Sequence, residues 1–169
     1  GDPLGRVFAT GLLAGLLGRS TAVRPHVLAA AGRFLGGLWS PERVEAGGWP
    51  AVAAFGTFFS NVPHELSDEA LQWCGRELER GFRTGRFEAS ACVRVLLFCD
   101  ALALPGATLA PAALLAKLLG EQAADGGFAE LSGGGPAERV ATSLAAMHGI
   151  IRLCRSDPFG PPIQESPPR

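Results

Sequence analysis

Glycine and an aromatic ring recur together three times along this chain, in Gly36-Gly37-Leu38-Trp39, Thr84-Gly85-Arg86-Phe87 and Asp125-Gly126-Gly127-Phe128. The rings at 39, 87 and 128 stand 48 and 41 residues apart, the length of two helices with their loops. Glycine in that place ends the preceding helix in a left-handed conformation, and the ring then tucks under the turn. Gly127 is expected to hold a positive φ for this reason.

What lies on either side of each signature differs in kind. Before it comes an amphipathic stretch. Val27, Leu28, Ala31, Phe34, Leu35 and Leu38 fall at helical spacing with Arg24 and Arg33 off the stripe, and Ala70, Leu71, Cys74, Leu78 and Phe82 do the same. Ser67-Asp68-Glu69 opens the second as an N-cap with acids in its first turn, and Leu114, Leu115, Leu118 and Leu119 form the third. After each signature comes a stretch apolar nearly all round: Ala51 to Phe59, Ala89 to Leu104 and Val140 to Cys154, with Leu4 to Leu17 of the same kind before the first. Alanine-rich flanks and few β-branched residues favour helix over strand there. One-sided helices face solvent with the other side, whereas helices apolar on every face must be covered on every face. The expected fold is therefore all-α, an α/α helical-repeat arc (a partial α/α toroid) of alternating inner and outer helices over residues 1–155. Residues 156–169 carry five prolines and read as an extended or mobile tail.

Composition removes several functions. A formal net charge of −1, with Lys117 the only lysine, leaves no basic excess for nucleic acid. No uninterrupted apolar run reaches the ~18 residues of a membrane span, since Arg94 and Asp100 break the longest one, so the chain reads as soluble. Val7 to Gly18 before Arg19-Ser20-Thr21-Ala22 faintly outlines a signal peptide, and Asp2 and the lack of an initiating Met weigh against it. Four cysteines sit in apolar helical stretches without a CxxC pair, and Cys92 and Cys99 lie about 10 Å apart along one helix, too far for a disulfide. Buried reduced thiols point to a cytoplasmic protein.

Alternating helices with Asp125-Gly126-Gly127-Phe128 leading into an Ala/Leu-rich helix through Thr142 and Ala145 resemble the prenyltransferase and squalene-cyclase repeat. The likeness spans residues 4–154 and is most specific in the last repeat. It implies an α/α toroid around an apolar cavity and, in catalytic members, an Asp-x-Cys pair and a His on zinc. Here Ser90-Ala91-Cys92 and Thr142 stand in those places, leaving one ligand where a catalytic zinc needs at least three. The Asp-rich motifs of terpene cyclases are absent as well. No metal, no cofactor and no catalytic residue is expected on that ground. About seven helices make only part of a ring, so the inner helices are expected to be covered by a second copy, a partner chain or a hydrophobic ligand.

The candidate site follows from this. Trp49, Phe55, Phe58, Phe59 and Phe98 line a pocket if the inner face is hollow, with Met147 and His148 from the last inner helix; their plainer role is core. Gly134 and Gly135 at a helix start, with Arg139 just inside it, form a candidate anion cradle, although no Gly-Lys-Ser/Thr follows as in a Walker sequence. His64-Glu65 with Asp68 reads as helix capping, and Cys99 beside Asp100 as a poor nucleophile. Arg94 and Asp100 need partners at a helix end, in water or on another subunit. The expected function is a non-catalytic repeat protein that binds an isoprenoid-like hydrophobic ligand or a partner protein on its concave face. The alternative is a prenyltransferase- or terpene-cyclase-like enzyme, or a fragment of one, acting on isoprenoid diphosphates.

Overall fold

The computed structural model describes residues 3–131 and 133–155. These form seven helices and no strand: α1 (Pro3–Gly18), α2 (Pro25–Leu38), α3 (Pro41–Asn61), α4 (Ser67–Arg83), α5 (Ala89–Phe98), α6 (Pro111–Gly120) and α7 (Gly135–Arg155). The all-α expectation holds. The proposed tail, 156–169, lies outside the described residues.

The odd-numbered helices make a row in which α1 packs on α3, α3 on α5 and α5 on α7, while α2, α4 and α6 each lie against members of that row. The middle of the row is where covering is complete. Every residue of α3 from Ala51 to Phe59 is buried, as are all of α5 but Arg94, Leu97 and Phe98. The ends of the row are different. α7 buries only Thr142, Ala146, Gly149 and Leu153, so the expectation of a helix covered all round fails there. Its opposite flank carries Val140, Leu144, Met147 and Ile151, each about half exposed or more (48–62%). Leu13 of α1 is similarly bare, at 60%.

Glycine sets the distance between α1 and α3. A Cβ on Gly11 would lie 2.5 Å from the Ala54 carbonyl oxygen, and one on Gly15 would lie 2.6 Å from that of Thr57. The contact advances along both helices in the same sense, so α1 and α3 run parallel. Backbones this close leave no room to yield, because the obstructing atoms are main chain and not side-chain tips.

The repeated signatures divide in the structure. Gly85 (φ 72°) and Gly126 (φ 82°) are left-handed, and Phe87 and Phe128 are buried. Phe87 folds back over Gly81, where any Cβ would strike its ring. In the third signature the left-handed residue is Gly126 and not Gly127, because Gly126 closes a turn by donating its N–H to the Ala123 carbonyl at 2.8 Å. The first signature is misplaced. Gly36 and Gly37 lie inside α2, and the left-handed glycine in this part of the chain is Gly48 (φ 62°), followed at once by Trp49 and Pro50. Gly48 breaks α3 into a short piece and a long one, and Pro50 then takes an early position of the long piece, where it gives up no needed N–H.

A carboxylate ties the end of α6 to the start of α5. Glu121, just past α6, accepts from the Ala89 and Ser90 N–H groups at 2.5 and 2.9 Å, supplying the free amides that begin α5 with an anion. The expected helix from Ala89 to Leu104 ends at Phe98, because Asp100 (φ 53°) turns the chain, with Ala101 N–H donating to Leu96 and Asp100 N–H to Leu97.

Gly15→Ala should destabilise the protein by about 1–3 kcal/mol or more through overpacking against backbone, and Gly126→Val by about 1–3 kcal/mol through its positive φ. Gly127→Ala should cost clearly less, since its new Cβ meets chiefly the movable end of Arg139. Urea denaturation of the three variants checks the order.

Candidate functional site

α2 touches the row lightly. It buries only Gly32 and Leu35, and Leu35 acts as a ridge that leaves a hollow on each side. The hollow toward the start of α3 is a groove of about 370 Å³ bounded by α1, α2 and α3. This is within the usual size for small-molecule sites.

Each wall has a local cause. Ser40 caps α3, accepting the Arg43 N–H at 3.3 Å, and Pro41 fixes the first turn. The break at Gly48 sets off the short first piece of α3, whose Ala46 and Gly47 line the groove. A Cβ at Gly47 would lie 3.2 Å from Leu4 Cδ1. Leu4 and Val7 of α1, Phe34 and Leu38 of α2, and Ala51 and Phe55 of α3 make the remaining lining apolar, while Arg6 and Arg43 stand exposed at its edge. Leu4 and Phe34 are 43% and 38% exposed, so the lining is open to solvent.

The seven candidate ligand residues are not assembled in one cavity. Phe55 lines the groove just described. Phe58 lines the second hollow, about 340 Å³, on the other side of α2 with Val62 and His64. Phe59 is core, stacked on Phe55 at 6.3 Å and edge-on to Phe58 at 5.3 Å. Trp49 and Phe98 lie to either side of Arg94, whose guanidinium is 5.9 and 5.7 Å from the two rings and is paired with Glu138. Phe8 meets Trp49 edge-on at 6.2 Å. Met147 and His148 are exposed on α7.

The candidate anion cradle holds a carboxylate of the protein itself. Arg139 donates from Nη2 to both oxygens of Asp125 at 2.7 Å, and Asp125 also accepts the Gly127 N–H at 3.0 Å. The Arg139 hydrogen bond, with that of Gly127, holds the Asp125 carboxyl below its usual range. Gly134 is exposed and Gly135 is left-handed (φ 70°) at the start of α7; Ser132 lies outside the described residues. Here the sequence reading missed that Asp125 and Arg139 pair to fasten the signature turn to α7.

Other singled-out groups have ordinary partners. His64 accepts the Leu66 N–H on Nδ1 at 3.1 Å, a capping role. Asp100 takes Arg19 and Arg152, each at 3.0 Å. Burial pushes the Cys92 thiol up to about 12 and the Cys99 thiol up to about 11, so neither supplies a thiolate near neutrality. Cys74 is raised in the same direction by burial. Cys154, expected to be buried, is exposed because it falls on the free flank of α7. Ser90, Cys92 and Thr142 are buried, and among the described residues no group of three or more His, Cys, Asp or Glu is placed to hold a metal ion. Nor is any helix of the described residues long and apolar enough to cross a membrane. Comparisons with protein-family models, curated proteins and solved structures returned no match to this chain.

The groove residues of α1 and α2 were not singled out in the sequence because Leu4 and Val7 fell in a helix read as covered on every face, and Phe34 and Leu38 on an apolar stripe read as packed on the core. Arg6, which interrupts the apolar run of α1, and Arg43, one turn after Ser40-Pro41, were the available signals.

Two measurements test the site's surroundings. A thiol reagent should label Cys154 rapidly in the native protein and the other three cysteines only on unfolding, and Cys154→Ser should abolish the fast phase. Glu79 accepts the Thr108 N–H at 2.6 Å and the Thr108 hydroxyl at 2.8 Å, which with Arg83 depresses its carboxyl to about 2. A depressed carboxyl adds stability above its unfolded pKa and loses it as pH falls through the folded one. Stability should therefore decline between about pH 4.5 and 2, and Glu79→Gln should flatten that part of a denaturation series across pH.

Proposed function

We propose that this chain is a non-catalytic helical-repeat protein that takes up a hydrophobic, isoprenoid-like ligand in the groove between α1, α2 and the start of α3. The observation that carries this reading is the groove itself, an apolar hollow of about 370 Å³ left open where neighbouring positions on α3 are closed completely. Apolar surface of this extent is unfavourable in water, and a ligand that displaces the water gains the transfer free energy of both surfaces. The proposed pocket is thus beside the row of odd helices and not on a hollow inner face, which shifts the expected site from the aromatic cluster to Leu4, Val7, Phe34, Leu38 and Phe55.

The same reading takes the alternation of odd and even helices as an open arc of the α/α-toroid type. The odd row, with even helices lying against it, supports that arrangement. A second mode of binding is supported by a separate observation. Val140, Leu144, Met147 and Ile151 form a stripe at four-, three- and four-residue spacing on the bare flank of α7, the pattern of a helix that packs on another helix. A second copy or a partner chain is the proposed cover for that stripe. Three buried free thiols support a reducing, cytoplasmic setting. Protonated thiols and the formal charge of −1 support the non-catalytic, non-nucleic-acid reading.

A neutral solvatochromic dye such as Nile red tests the groove. Its fluorescence should be enhanced by the protein and reduced at least severalfold by Leu38→Trp, which fills the hollow. Leu144→Gln on α7 should leave the signal unchanged. The reverse pattern would move the hydrophobic site to the α7 stripe.

A further inference from the structure

The apolar groove ends at two cations that nothing in the described structure neutralises. Arg6 leaves α1 one residue before Val7, and Arg43 leaves the first turn of α3, so two different helices each add an arginine to the lining of the same hollow. Both are exposed, and neither is in an ion pair among the described residues. Arg94 and Arg139, by contrast, are paired with Glu138 and Asp125. The acidic residue nearest Arg43 in sequence is Glu42, which bonds back to its own helix start and to Ser40 and does not line the groove.

We propose that the groove selects an amphiphile with an anionic head, its chain lying against Val7, Phe34, Leu38 and Phe55 and its head between Arg6 and Arg43. This rests on the reading of the groove as a ligand pocket and adds the head-group chemistry to it. Apolar burial supplies most of the affinity and does not discriminate among heads. The two guanidinium groups supply the discrimination, because each offers a planar fork of donors matched to carboxylate or phosphate oxygens. The edge is wet, so this preference weakens as salt is raised.

The test uses three twelve-carbon probes below their aggregation thresholds: dodecanoate, dodecanol and dodecyltrimethylammonium. Titration calorimetry of the full chain should rank them in that order, with dodecanoate about tenfold or more tighter than dodecanol, a gap that shrinks at high salt. Arg6→Gln with Arg43→Gln should bring dodecanoate down to the level of dodecanol and leave dodecanol binding unchanged. Both substitutions are at exposed positions, and an unchanged thermal midpoint confirms the fold. Equal affinities for the three probes would overturn the head-group proposal while leaving the groove in place. No binding of any probe, with Nile red insensitive to Leu38→Trp, would overturn the groove and the head-group reading together.

Discussion

From Ala51 to Phe59 every residue of the third helix is buried, and the remaining structure is arranged around that requirement. An apolar helix of this length cannot be covered by one partner, because a single helix shields only one flank. α1 closes in through glycine, α4 and α5 cover other flanks, and α2 contributes little beyond Leu35. The covering is thus tight on one side and thin on another. The thin side, where α2 rides on a ridge with a hollow to each flank, is where the molecule has space to bind something.

How far this was readable from the sequence depended on which interaction decided each feature. Helix type and order were legible, since local periodicity and breakers set them: the apolar run at Ala89, the acids Asp68 and Glu69 in the first turn of α4 and the Gly-aromatic pairs ending at Phe87 and Phe128 mark real elements, although Ser67 is the first residue of α4 and supplies no side-chain cap. The turns at Gly85 and Gly126 were legible to within one residue. The first turn was not, because Gly36-Gly37 and Gly47-Gly48 offer the same local chemistry. Only packing selects the second pair, whose Gly48 stands near Phe87. Burial of α7 was misjudged for a related reason. Sequence shows that Val140, Leu144, Met147 and Ile151 are apolar, but covering them requires a neighbour that these residues do not supply.

The candidate site was less legible still. The aromatic residues proposed for one hollow are divided among core, two grooves and a cation-stacked surface, a matter of where helices cross and not of composition. Asp125 and Arg139 illustrate the point from the polar side. Fourteen residues apart, they were read separately as a turn residue and an anion ligand, and the fold makes them each other's partner. Arg6 and Arg43 gain meaning only when α1 and α3 are brought side by side.

Asp100 gives the row of helices a property that stacking alone does not confer. In a one-dimensional stack each unit feels only its neighbours, so the end units fray independently and loss propagates inward. Here one carboxylate, held out by a left-handed backbone at the end of α5, takes Arg19 from just beyond α1 and Arg152 from α7. Exposed pairs of this kind contribute at most about 1 kcal/mol each, too little to hold the fold together. Yet through one carboxylate beyond α5 they tie the segment after α1 to α7, so that unzipping from either end of the row is felt at the other. A small clasp in that position does more for the cooperativity of the molecule than for its stability.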